Sequence, residues 1–322
     1  MKQRNRIAVI GAGTIGARHI QAMAAVAAPV DLDVVDPSSQ ARERALGLLA
    51  ADGGLSAGTA REFSRIEDLD AAPDLAIIAT ASRERAHAVQ AIVDRGARSL
   101  VLEKVLFTRL VHYDAVEDLL GRQHAQAWVN CPRRAYPGAL RLAEFIDNEP
   151  FTYRVEGQGW GLGCNLVHHL DEFASLVGSA DICLDAIDLD DRIVSAKRDG
   201  YVEFFGSISG VSRYGHRFLA RCSEGAAAAR TVSIEVGDKR LTLTPRGELC
   251  MEYGAKRRTE PYPMPPQSEM TAGYVTAVLA GRNPGLPDYA TASRLHKLML
   301  NAFLGHLRAV QNDDTIDECP VT

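Results

Sequence analysis

Three clusters of residues in this 322-residue chain have types and spacings that could do chemistry. The first is Gly11-Ala12-Gly13-Thr14-Ile15-Gly16, a G-x-G-x-x-G directly after the apolar run Ile7 to Ile10. Gly11 permits a tight turn out of a strand. Gly13 lets backbone approach a pyrophosphate with no Cβ in the way, and Gly16 lets the next helix pack close to the sheet. The helix N-terminus at Thr14 and Ile15 then offers unpaired N–H groups and partial positive charge to phosphates. Asp36 ends a second apolar run, twenty residues after Gly16. A carboxylate there receives the adenosine ribose hydroxyls and repels a 2′-phosphate, so NAD is expected over NADP. Arg42 and Arg44, in the next helix, soften that preference. The plain alternative is a glycine turn and a solvated aspartate with no nucleotide.

The second cluster is Glu103-Lys104, at the end of the strand-like run Ser99-Leu100-Val101-Leu102. It reads either as a surface ion pair or as a lysine supplying positive charge or a proton to a substrate oxygen. The third is the adjacent pair His168-His169 near a helix start. Neighbouring helical residues point about 100° apart, so His168, His169 and Asp171 make a poor metal site, and no metal is expected. Arg133-Arg134 could grip a phosphate or carboxylate, or form a solvated basic turn.

The elements that must position these residues fall into two blocks. In the first, strands at 7–10, 32–35, 75–80, 99–102 and 126–130 alternate with helices at about 19–27, 39–51 and 88–95 and another ending at Leu119-Leu120. That alternation predicts an α/β Rossmann domain, a doubly wound parallel sheet, over residues 1–130. Loops at the carboxyl ends of such strands line the ligand crevice. Thr80, Ala81 and Ser82 are small enough for a dinucleotide to pass over them, and His87 sits near the nicotinamide end or on a helix surface. In the second block a helix at 138–146, a strand at 151–158 and a helix at 165–177 precede short strand-like runs at 182–189, 202–208, 218–222, 231–236 and 240–243. Helices return at 269–279 and 291–310. This predicts an α+β domain over 131–322 with a mostly antiparallel open sheet, one face free for another subunit.

Composition narrows the function. Hydrophobic residues make up 46% and charged residues 24%, as in a globular protein. A net charge of -5 offers no basic face for nucleic acid or anionic membrane. No apolar run reaches the length of a membrane span, and the basic N-terminus leads into a strand and not a signal-peptide core. None of the six cysteines forms a C-x-x-C pair. A reduced, cytoplasmic protein is expected.

The chain resembles the Gfo/Idh/MocA family of NAD(P)-dependent oxidoreductases, named for glucose–fructose oxidoreductase and inositol dehydrogenase. The likeness lies in the fingerprint with Asp36, in Thr80 to His87 (the family's T-P-x-x-x-H), in Glu103-Lys104-Val105 (its Glu-Lys-Pro) and in Gly161 to Asp171. The last stretch is similar to G-G-x-x-x-D-x-G-x-H-x-x-D, with His168 as the family histidine. The resemblance implies that Gly11, Gly13, Thr14, Ile15, Gly16, Asp36, Thr80, Ala81, Ser82, His87 and Glu103 hold the cofactor and that Lys104 and His168 are catalytic. Val105 departs from the family proline, Cys164 from its aspartate and Leu166 from its glycine. Asn165 and His169 form a second i, i+4 pair that a shift of one residue would use for substrate, beside Arg133 and Arg134.

The function implied is hydride transfer between nicotinamide and a hydroxyl or keto carbon of a sugar or sugar nucleotide, in a homodimer or homotetramer built on the C-terminal sheet. The alternatives are a non-catalytic dinucleotide-binding sensor or scaffold, which Cys164 suits, and a lyase or hydrolase of glycosides that recycles NAD.

Overall fold

The computed structural model describes residues 4–226 and 230–322. The chain divides into two compact units, Met1–Asn130 with Pro265–Ala292 and Cys131–Met264 with Ser293–Thr322. Residues 265–292, which a boundary after Asn130 assigns to the second domain, are counted with the first.

The first unit contains β1 (Asn5–Ile10), α1 (Thr14–Gln21), β2 (Val30–Val35), α2 (Ser39–Ala51), β3 (Ala60–Phe63), β4 (Leu75–Ile78), α3 (Ser82–Asp94), β5 (Ser99–Leu102), α4 (Val111–Arg122) and β6 (Gln126–Val129). All six strands are parallel, in the order β3-β2-β1-β4-β5-β6. This is the doubly wound arrangement, with its switch point between β1 and β4. β1, β4 and β5 are apolar because both faces of the sheet are covered. Strand β3 escapes the sequence pattern: Ala-Arg-Glu-Phe lies at the sheet edge with no buried residue. Helix α1 begins at Thr14 and α3 at Ser82, each several residues before the sequence-derived start, because the helices open directly out of the strand-end turns.

The second unit contains α5 (Ala139–Ile146), β7 (Thr152–Gln158), α6 (Leu162–Val177), β8 (Ile182–Leu189), β9 (Val194–Ser195), β10 (Val202–Glu203), β11 (Gly206–Ser212), β12 (Arg217–Ser223), β13 (Thr231–Val236), β14 (Lys239–Leu243), β15 (Glu248–Tyr253) and β16 (Lys256–Pro261). The run at 202–208 is thus two strands, and β10 pairs with β9 outside the main sheet. That sheet has eight strands in the order β16-β15-β14-β13-β7-β12-β11-β8. Only the β7–β12 pairing is parallel, because β7 enters from the helical segment before it. One face carries Tyr153 and Val155 of β7, Phe218 and Ala220 of β12, and Val232 and Ile234 of β13, all buried. Phe173 of α6 packs on this face with ring centroids 6.2 Å from Tyr153 and 5.5 Å from Phe218. The other face carries Arg154, Glu156, Arg217 and Arg221.

The chain then returns to the first unit. Helix α7 (Gln267–Leu279) adds Tyr274, Val275 and Val278 to the core formed by Ile7, Val9, Leu32, Val34, Leu75, Ile77 and Val101. Helix α8 (Tyr289–Gln311) follows, its residues from Ser293 onward counted in the second unit.

Candidate active site

In the first unit the ends of β1, β2 and β4 converge. Gly11 leaves β1 with φ +95°, and a Cβ there would stand 2.9 Å from the Thr80 amide nitrogen. A Cβ on Gly16 would come within 1.8 Å of the Gly11 carbonyl oxygen, so the absence of a side chain is what lets α1 sit against the turn. Around Gly13 a Cβ would meet nothing within 4 Å. No side chain caps α1, and the amides of its first turn, at Thr14 and Ile15, have no acceptor within the helix. Asp36 accepts hydrogen bonds from the Ala12 amide at 2.7 Å and the Ser38 amide at 2.8 Å. The Arg42 guanidinium donates to the Asp36 carbonyl and to Glu62, and Arg44 donates to the Ala12 carbonyl. At the end of β4, the Thr80 hydroxyl is buried with no hydrogen-bond partner. Ala81 is half-buried and caps α3, and Ser82 is buried at the first position of α3. His87 stands apart, exposed on α3.

Glu103 and Lys104 follow β5. The sequence places Glu103 at the cofactor, but its carboxylate turns inward. It is 4% exposed and accepts from Asn130 Nδ2 and from His19 Nε2, the latter at 3.0 Å. His19 Nδ1 lies 2.8 Å from Thr271 Oγ1, Gln267 Nε2 donates to the same hydroxyl, and Asn130 also donates to Gln267 Oε1 at 2.7 Å. The five side chains close a buried ring. Burial pushes the Glu103 carboxyl up, but the His19 hydrogen bond and charge, Asn130 and Lys104 outweigh it and leave its pKa below the usual value. Lys104 itself is half-buried, and the peptide after it is cis. The buried Arg85 of α3 donates to the carbonyls of Val105, Leu106 and Thr80, joining the loops after β4 and β5.

In the second unit α6 carries the histidines. Gly161 precedes it with φ +77°. The Asn165 side chain closes the entry turn by donating to the Trp160 and Gly161 carbonyls at 2.7 and 3.2 Å. Glu203 of β10 caps the helix, accepting from the amides of Gly163 at 2.7 Å and Cys164 at 3.1 Å. His168 is half-buried. His169, one residue on, is fully buried, which removes it from the surface where a substrate contact was expected. Its Nδ1 lies 2.8 Å from the Tyr153 hydroxyl, which donates to Glu172 at 2.5 Å. The single phenolic proton goes to Glu172, so His169 is the Nδ1–H tautomer and donates to Tyr153. Burial, aided by the charges of Arg133, Arg230 and His168, holds the imidazole well below its ordinary pKa.

Both arginines proposed as anion grips have carboxylates of their own. Arg133, 6% exposed, pairs with Glu172 at 3.3 Å. Arg134 makes a two-pronged pair with the buried Asp171 at 2.6 and 2.8 Å. A solvated turn does not describe them either, since the pairs fix the segment before α5 against α6.

Residues 5–131 match the model of the GFO_IDH_MocA oxidoreductase family with an NAD-binding Rossmann fold. This N-terminal domain belongs to the Gfo/Idh/MocA family. Curated protein sequences give no match to the chain. Solved structures do. UDP-N-acetylglucosamine 3-dehydrogenase GnnA from Acidithiobacillus ferrooxidans is 18% identical over 93% of this chain and 97% of its own, with a TM-score of 0.67. KijD10, a 3-ketoreductase from Actinomadura kijaniata in complex with NADP, is 16% identical over 92% and 96%, at 0.70. An oxidoreductase from Agrobacterium radiobacter in complex with NAD+, L-tartaric acid and magnesium is 12% identical over 95% and 97%, at 0.72. At these identities the likeness is one of fold, extending over nearly the whole chain.

The Gfo/Idh/MocA domain fits the NAD its family binds. The open space over Gly13, the uncapped start of α1 and the partnerless Thr80 hydroxyl suit a dinucleotide pyrophosphate. Sequence reasoning missed His19, Arg85 and Glu203. Their partners lie from five to some eighty residues away or farther, and no local spacing marks them. Among the described residues no cluster of three or more His, Cys, Asp or Glu is arranged to hold a metal.

Proposed function

We propose that this Gfo/Idh/MocA protein is a dehydrogenase or reductase that prefers NAD to NADP and acts on a hydroxyl or keto carbon of a sugar or sugar nucleotide. The observation that carries the reading is the delivery of Gly11, Asp36, Thr80 and Lys104 to the carboxyl ends of β1, β2, β4 and β5 in one parallel sheet. When bound, NAD supplies the hydride-accepting carbon of its nicotinamide. Lys104 polarises the reacting oxygen, and His168 takes up or returns the proton, imidazole being able to act as either acid or base. Asp36 receives the ribose hydroxyls and disfavours a 2′-phosphate. Two fold relatives named for 3-dehydrogenase and 3-ketoreductase activity support a sugar-type substrate.

The deciding experiment is titration of NAD and NADP into the wild type and Asp36→Ala, followed by turnover on a panel of sugars and sugar nucleotides. NAD affinity should fall by about ten- to a hundredfold in the variant. Lys104→Ala and His168→Ala should each lower kcat by at least about a hundredfold with NAD affinity retained. Cys164, at the position of the family aspartate, favours a second reading as a non-catalytic NAD-binding protein. Tight NAD binding with no turnover on any panel member would support that reading and remove the first.

A further inference from the structure

Among the described residues of the second unit, Arg230 is a half-buried arginine with no carboxylate of its own to pair with. It directly precedes β13, and continuing the β13–β7 register sets it opposite Gly157. Opposed residues of an antiparallel pair share a face, so Arg230 lies on the α6-covered face with Tyr153 and Val155. Gly157 makes room for it. A Cβ at Gly157 would stand 2.9 Å from Arg230 Cα and 3.1 Å from its Cβ.

The guanidinium is half-buried and, among the described residues, makes no hydrogen bond or ion pair. Arg133, Tyr153, Glu172 and Tyr136 lie within its electrostatic reach. Arg133 and the Tyr153 hydroxyl both use Glu172 Oε2, and the buried Oε1 has no hydrogen-bond partner. His169 is neutral. Two arginines therefore face one carboxylate, and the neighbourhood is one negative charge short. A guanidinium withdrawn from water without an anion is costly, which is why burial lowers the Arg230 pKa.

We propose that Arg230 binds an anionic oxygen group, carboxylate or phosphate, carried by the substrate of the oxidoreductase. The planar fork of the guanidinium matches two oxygens of either group. This assigns to Arg230 the role that Arg133 and Arg134 cannot fill while paired, and it makes the substrate a sugar acid or a sugar nucleotide in place of a neutral sugar. It rests on the oxidoreductase reading for the identity of the ligand as a substrate, but not for the anion site itself.

The test is calorimetric titration of the full-length protein with D-glucuronate, UDP and D-glucose, and with NAD as a separate arm. Wild type should bind one of the two anions at least about tenfold more tightly than glucose. Preference for glucuronate identifies a carboxylate substrate, and preference for UDP a phosphate. Arg230→Gln should abolish the preference, and Arg230→Lys, which keeps the charge without the fork, should restore part of it. NAD affinity and far-UV circular dichroism should be unchanged in both variants. Failure to bind NAD with anion preference intact would remove the oxidoreductase reading and leave the anion site standing. The proposal is overturned if wild type does not favour either anion over glucose, or if Arg230→Gln keeps the wild-type preference. A lowered melting temperature in Arg230→Gln with preference intact would assign Arg230 to Glu172 alone, which also overturns it.

Discussion

At the scale of single residues, the buried side chains of α6 couple the second unit to pH in opposite directions. His169 has a depressed pKa in the folded protein, burial being the main cause. Below its ordinary value of 6.5 the unfolded chain takes up a proton that the folded chain refuses. Its contribution to stability is present above that pH and is lost as pH falls. Asp171 is the reverse case. Burial pushes its carboxyl from 3.8 up to about 6, against the hydrogen bonds and charge of Arg134. The folded state then holds the proton more tightly, so this contribution is present below 3.8 and is lost as pH rises through about 6. Urea midpoints measured against pH should separate the two. His169→Phe should flatten the loss of stability on the acid side of neutrality. Asp171→Asn should flatten the loss between the two Asp171 values and so steepen the remaining acid-side fall. Parallel curves for both variants and wild type would refute the assignment. The adjacent histidines were legible as a pair, but which of them is interior depends on Tyr153 and Glu172, sixteen residues before and three after His169.

At the scale of elements, the turn from β1 to α1 holds one glycine that packing requires and one that it does not. Gly16 has the Gly11 carbonyl at 1.8 Å from any added Cβ, so Gly16→Ala must move α1 off the sheet. A loss of about 3 kcal/mol in stability is expected, together with loss of NAD binding. Gly13 adopts φ −61°, ψ −167°, which alanine tolerates, in open space. Gly13→Ala should leave the melting temperature near that of wild type while weakening NAD by about tenfold or more. Melting curves with and without NAD distinguish the cases, and equal thermal damage from both substitutions would contradict this division of roles. The fingerprint, the apolar central strands and the strand-dense second block were readable from local pattern. Strand β3, the split into β10 and β11, and the pairings of β15 and β16 were not. Short edge strands carry no continuous apolar run, and their hydrogen bonds depend on neighbours elsewhere in the chain.

For the whole molecule, no helix among the described residues is long and apolar enough to cross a membrane. The open face of the eight-stranded sheet presents mixed charge, including the Arg154–Glu235 pair at 3.2 Å and the Arg217–Asp185 pair at 3.0 Å. We propose that a second copy packs on this face. Light scattering after gel filtration should then give a dimer or tetramer, and Arg154→Glu with Arg221→Glu should shift it toward monomer. A monomer in the wild type at micromolar concentration would remove the proposal. Like charges set against each other are what the double variant introduces, and the effect should weaken with salt.

The sequence by itself determined the dinucleotide-binding half. A strand, three spaced glycines and a strand-end acid act through local geometry, so their spacing is the information. Glu103, Arg133, Arg134 and Arg230 show where that ends. Each is a charged residue whose role depends on which opposite charge the fold brings to it. Glu103 is turned inward by His19 and by a helix more than a hundred and fifty residues later. Arg133 and Arg134 meet Glu172 and Asp171. Of these four, Arg230 is the one without a partner of opposite charge among the described residues, because β7 and β13 pair across about seventy residues of chain and set it opposite a glycine. Electrostatic partnership is a property of three-dimensional distance, and the tertiary structure alone decides it.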